Sequence, residues 1–178
     1  MPIGSRAAIT PALETTPVPP STTSPSTVEL GRDALRNATF KDILGEAVTL
    51  VDGQYEGDPF VAGGASRPTI TLLPETIAYG DLDGDGRLDA AVVLVSDSGG
   101  SGTFVYLAAV ESRDGTPLNV ATTLLGDRDQ VRSLTIDDGW LLVKLLSHAA
   151  DDPACCPSLE TTRTFRLREG QLVDETNE

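Results

Sequence analysis

Asp89-Ala-Ala-Val-Val-Leu-Val95 and Thr103-Phe-Val-Tyr-Leu-Ala-Ala-Val110, with Ser96 to Gly102 between them, decide how the rest of the chain is read. Both runs are apolar and rich in β-branched residues, and the connector is Ser and Gly, so they read as two strands joined by a turn. The same texture extends in both directions. Toward the N-terminus lie the short strands Ile77–Tyr79 and Thr69–Leu73. Ahead of those, Ala47–Leu50 and Gln54–Glu56 flank Asp52-Gly53, a hairpin signal. Toward the C-terminus, Asp114-Gly115 marks a turn before Asn119–Leu125 and Val131–Ile136. Asp138-Gly139 then opens a hairpin into Trp140–Leu146, and Thr161–Leu167 and Gln171–Val173 close around Glu169-Gly170.

Of these eleven segments, eight or nine strands at regular spacing predict a mainly β protein: an antiparallel sheet, a sandwich or a barrel. Glu29–Asn37 spaces Leu30, Ala34 and Leu35 for one short N-terminal amphipathic helix. No period of roughly 20–50 residues repeats, which excludes a propeller or a solenoid.

Residues 1–27 differ in kind from the 28–178 stretch, which reads as a single β-rich domain. Five prolines fall among Ser and Thr between Thr10 and Thr27, which can build neither helix nor sheet interior. The segment is expected to be a disordered, extended spacer. If about 150 residues fold, roughly two-thirds of the unfolded surface can be buried, enough for one ordinary core. Aromatic residues make up only 4% of the 178, so Val, Leu, Ile and Ala must fill it.

Thirteen basic residues against 27 acidic ones give a formal charge of −14. A duplex or an anionic membrane repels such a surface, so no nucleic-acid partner is expected, and cations are the natural ones. No run of residues approaches the ~20 apolar positions of a transmembrane segment. Met1–Thr10 carries one Arg and no apolar core of a leader, and no Cys stands near the start, so neither signal sequence nor lipid-attachment site is visible. Export with the leader removed and residence in the cytoplasm both remain open. The spacer favours an extracytoplasmic protein, secreted or in the cell envelope.

The chemistry concentrates in Asp81-Leu-Asp-Gly-Asp-Gly-Arg-Leu-Asp89. Asp81, Asp83, Asp85 and Asp89 stand at positions 1, 3, 5 and 9, with Gly86 at position 6. Calcium takes six to eight oxygens at about 2.3–2.6 Å, so a tight loop must turn alternate side chains inward. Gly86 supplies the sharp bend, and the Arg87 carbonyl then faces the ion. Asp81, Asp83, Asp85, Arg87 and Asp89 are the expected metal ligands, and Ca²⁺ the expected cofactor. Position 12, where a regulatory helix–loop–helix site has a bidentate Glu, is Val92, and the flanks are strands. A calmodulin-type switch is thereby excluded.

Gly80 to Val93 resembles the hairpin calcium loop of FG-GAP-type repeats, found in integrin propellers and many bacterial surface proteins. The resemblance covers about 15 residues and implies that the side chains of Asp81, Asp83, Asp85 and Asp89 ligate the ion. One copy transfers a loop rather than a fold. The longer stretch Gly80–Pro157 resembles a set of exported bacterial proteins, many of them lipoproteins. The residues that carry it are Gly99-Gly-Ser-Gly-Thr-Phe104, Tyr106-Leu-Ala-Ala-Val110, Leu125-Gly-Asp-Arg128, His148 and Cys155-Cys-Pro157. It implies export and no established activity.

The only two cysteines are neighbours, Cys155 and Cys156. Their Cα atoms lie about 3.8 Å apart across a trans peptide, below the usual disulfide range of about 4.4–6.8 Å, so a bridge between them is strained and forces a rigid tight turn. An oxidising compartment favours that vicinal disulfide. The alternative gathers His148, the cysteines and Asp151 or Asp152 around a transition metal, or uses the pair as a redox centre. His-x₆-Cys-Cys is not a zinc spacing, and a lone His148 reads more simply as a loop residue. Gly99-Gly-Ser-Gly102 fits neither a nucleophile elbow nor a phosphate loop. The expectation is a non-catalytic, calcium-stabilised β domain that either binds a partner, such as another envelope or extracellular protein, or forms part of the envelope, with redox or metal handling by His148, Cys155 and Cys156 as the second reading.

Overall fold

Four dipeptides turn the chain back on itself in the same way. Asp52-Gly53, Asp114-Gly115, Asp138-Gly139 and Glu169-Gly170 all have positive φ at both residues, from 48° to 86°. That is the primed two-residue hairpin, whose twist matches the right-handed twist of the strands it joins. In the computed structural model, Met1 and residues 30–176 are described. Apart from Met1, the expected spacer over residues 1–27 lies outside them.

Twelve strands occur among the described residues, not eight or nine. They are β1 (Thr39–Phe40), β2 (Val48–Thr49), β3 (Gln54–Glu56), β4 (Thr69–Leu72), β5 (Ala78–Gly80), β6 (Asp89–Asp97), β7 (Thr103–Arg113), β8 (Thr116–Asp127), β9 (Gln130–Asp137), β10 (Trp140–Ser147), β11 (Leu159–Arg168) and β12 (Gln171–Asp174). Of the twelve, only β1 has no counterpart among the segments named from the sequence, because two residues are too short to carry a period. The expected helix is one turn and a half, α1 (Arg32–Arg36).

The strands form a sandwich. One sheet runs β3-β4-β6-β7-β8, with β5 also paired to β6, and the other runs β12-β11-β10-β9. All pairings are antiparallel. The chain crosses from the first sheet to the second through Arg128-Asp129, and Arg163 of β11 ties the sheets by donating to the Leu125 carbonyl at 2.9 Å.

A third layer covers the far face of the first sheet. Leu30, Leu35, Phe40, Ile43, Val48 and Leu50 pack there against Ile70, Leu72, Ala90, Val92, Leu94, Ala108 and Val110. On the opposite face Ala91, Val93, Leu107 and Ala109 meet Leu134, Leu141, Val143, Leu145 and Phe165 of the second sheet. Residues 89–94 of β6 are therefore buried without interruption, and the strand lacks the in–out alternation of a sheet with one wet face. Asn119, at a bulge of β7 on β8, clips the third layer in place. Its Oδ1 accepts from the Lys41 N–H at 2.9 Å, while its Nδ2 donates to the Ala109 and Ala121 carbonyls at 3.0 Å. No helix among the described residues is long and apolar enough to cross a membrane.

Candidate metal site

Residues 81–88 connect β5 to β6, whose register Gly80↔Asp89 puts the loop at the end of a hairpin. The flanks are strands, as the sequence predicts. The polypeptide holds its shape through its own carboxylates. Asp81 accepts from the Gly84 N–H at 2.7 Å and from the Gly86 N–H at 2.9 Å. Asp83 accepts from the Asp85 N–H at 3.0 Å, and Asp85 from the Arg87 N–H at 2.8 Å. Gly84 and Gly86 have φ of 83° and 82°, and no atom would crowd a Cβ at either, so the demand for glycine is one of backbone conformation.

Two residues fasten the loop to the body of the protein. Leu82 is buried in the core between the sheets. Asp89 is 1% exposed, on the side of β6 from which Ala91 and Val93 also enter that core. Its Oδ2 accepts from the Leu82 N–H at 3.0 Å and its Oδ1 from the Ser112 N–H at 2.9 Å, so one carboxylate bonds both the loop and β7. Burial raises the Asp89 pKa above its ordinary value of 3.8, and repulsion from Asp83 and Asp85 adds to this, against the lowering effect of the two backbone bonds.

Asp81, Asp83 and Asp89 each offer an oxygen, all within 4.8 Å of one another. This trio can hold a metal ion, and a donor set of carboxylate oxygens alone suits a hard cation. Asp85 stands outside the trio. Its carboxylate takes the Arg87 guanidinium at 2.5 Å, and that bond holds its pKa below the ordinary 3.8. Arg87 thus neutralises one of the four charges by its side chain, besides any part its carbonyl takes. Leu82 and the Ser112 N–H are the contributors that spacing did not point to. An apolar residue at position 2 of a polar loop was the available signal for the first, whereas the second comes from a strand 23 residues away.

The loop borders a cleft of about 590 Å³, shared with Glu111, Asp137, Asp138 and Arg166, so the acidic face is open to solvent cations. Gly80, the residue before the loop, sets how closely the sheets meet here. A Cβ on it would lie 2.5 Å from Ile136 Cγ2 and 2.8 Å from Ile136 Cβ. Gly80→Ala is expected to cost about 1–3 kcal/mol through overpacking. Adding Ile136→Ala should recover part of that loss. A double-mutant cycle by urea denaturation checks it, and additive losses would refute the contact.

The remaining sequence candidates lie elsewhere. Cys155 and Cys156 are at disulfide-bonding distance on the connection from β10 to β11. His148 begins that connection, with its Nε2 buried and without a hydrogen-bond partner. Among the described residues, neither His148 nor the cysteines fall in a group of three or more metal-ligating side chains. No protein-family model, no curated protein and no solved structure matches this chain.

Proposed function

We propose that loop 81–89 binds one calcium ion and that the protein is a non-catalytic, extracytoplasmic β domain stapled by it, serving as a binding or envelope module. The observation that carries this reading is the buried Asp89 beside Asp81 and Asp83: three carboxylates converge at a place where one is already held above its ordinary pKa by burial and by its neighbours' charge. A divalent cation relieves that repulsion. Calcium is the ion of choice because an irregular set of carboxylates and carbonyls accommodates its flexible coordination, whereas magnesium demands a near-ideal octahedron. The likeness of Gly80–Val93 to FG-GAP-type loops points the same way.

A depleted ligand set suits a dissociation constant on the order of 10⁻⁴–10⁻³ M, which is filled outside cells rather than in a cytosol. The Pro/Ser/Thr composition of residues 10–27 supports the same placement, as a tether for a surface domain. Binding at ten times the dissociation constant contributes about 1.4 kcal/mol. For a domain of this size the melting temperature should rise by roughly 3–6 °C. Calorimetry in millimolar calcium, in magnesium and in a chelator tests this. A melting temperature indifferent to all three would remove the metal from the reading, and an equal response to magnesium would remove the choice of calcium.

A further inference from the structure

Cys155 and Cys156 are both exposed on the β10–β11 connection, while the next residue, Pro157, is buried. A single carboxylate braces this connection. Asp152 Oδ2 accepts from the Ala149 N–H at 2.8 Å and from the Ser158 N–H at 2.7 Å, and its Oδ1 accepts from the Ser158 hydroxyl at 2.7 Å. Two turn bonds reinforce it, from the Asp152 N–H to the Ala149 carbonyl at 3.1 Å and from the Cys156 N–H to the Pro153 carbonyl at 2.9 Å. Both ends of the connection are thus held without help from sulfur.

A disulfide stabilises a fold chiefly by restricting the loop it closes in the unfolded chain. A link between sequence neighbours encloses no intervening residue, so that contribution vanishes. The bond also joins no two elements of the sandwich, since both sulfurs belong to one connection already pinned by Asp152. An accessible disulfide with no fold to hold together is open to exchange. We propose that Cys155–Cys156 is a reversible two-electron redox pair that exchanges with external thiols.

The chemistry balances with thiol as the reductant. A thiolate RS⁻ attacks one sulfur of the pair, the Cys155–Cys156 bond breaks, and the other sulfur leaves as a thiolate beside the new mixed disulfide. A second RS⁻ attacks the R sulfur of that mixed disulfide and releases RS–SR and the remaining cysteine thiolate. The two protons lost by the two RSH molecules end on Cys155 and Cys156. The reverse sequence oxidises external thiols. Neither direction disturbs the Asp152 brace.

The test equilibrates the full chain in reduced and oxidised glutathione at graded ratios, traps thiols by alkylation and reads intact mass. Both thiols should appear together, disappear together when the ratio is reversed, and leave the near-ultraviolet signal of Trp140 unchanged. The melting temperature should move by less than about 2 °C between the two forms. Cys155→Ser and Cys156→Ser should each capture one glutathione on the remaining thiol of the folded protein. Thioredoxin with its reductase and NADPH forms the second arm: faster reduction than by glutathione at matched reducing strength identifies a protein dithiol as the partner, and equal rates identify a small thiol. Thiols that react only after unfolding, a pair that fails to re-form, or a reduced protein that melts far lower would each overturn the proposal.

Discussion

Asp89→Ala lowers the melting temperature by roughly 6–12 °C and removes the response to calcium. The substitution leaves the Leu82 and Ser112 N–H groups without their acceptor at a buried place. Each such orphan costs about 1–3 kcal/mol, and the lost penalty of burying the carboxylate offsets part, for a net of about 3 kcal/mol. Asp83→Asn is the matched control. Asp83 is exposed, and an amide oxygen can still accept from the Asp85 N–H, so stability in chelator should change by no more than about 0.5 kcal/mol while the calcium response weakens. Thermal melts of both variants with and without calcium separate the two roles of the loop. An Asp89→Ala protein that melts like the parent would refute the anchoring role, whatever the ion does.

The raised pKa of Asp89 gives this prediction a pH dependence of definite sign. A carboxyl whose folded pKa lies above its unfolded value of 3.8 contributes stability that is fully present below the unfolded value. That contribution is lost as pH rises through the folded value. Calcium competes with the proton for the same oxygens, so the calcium-induced rise in melting temperature should be small at acid pH and grow as Asp89 ionises.

Phe40→Ala should be still more damaging, costing about 3–5 kcal/mol. Phe40 lies in the two-residue strand β1, is 0% exposed, and packs in the layer that covers the central sheet opposite the sandwich interface. If that layer were an accessory, its loss would be mild. Its cluster includes Val92 and Leu94 of β6, so an empty ring site opens a void in the layer that covers the middle of the molecule. Phe40→Leu, which keeps most of the volume, should cost less than about 1.5 kcal/mol. Urea denaturation of both variants measures the difference, and a loss below 1 kcal/mol (about a fivefold change in the folding equilibrium) for Phe40→Ala would show that the layer is dispensable.

The turns were legible in the sequence because each depends on two adjacent residues. Asp-Gly supplies positive φ at both positions at little cost, Gly170 supplies it at the second position after Glu169, and the four hairpins follow from that local fact. The acidic loop was legible for a similar reason, since Asp81, Asp83 and Asp89 are brought together by nine residues of spacing. What lay hidden is non-local. Thr39–Phe40 is too short to show a period, and its pairing with Val48–Thr49 depends on residues ten positions away. The unbroken apolar run Ala90–Leu94 signals burial of both faces, but nothing within it says that one cover is the second sheet and the other is α1 with β1 and β2. The division of labour within the loop was hidden as well. Spacing alone treats Asp85 and Asp89 alike, whereas Arg87 engages the first and the backbone of Ser112 engages the second.

The double-sided burial of β6 makes it an internal gauge. Its backbone is paired along β7 on one side and along β4 and β5 on the other, with side chains enclosed above and below. Partial openings are expected to leave amides so placed covered, so that their protons should trade with deuterium only when the whole molecule comes apart. Their exchange therefore reads the total free energy of the fold, any increment from the ion in loop 81–89 included, at single-residue detail and without denaturant.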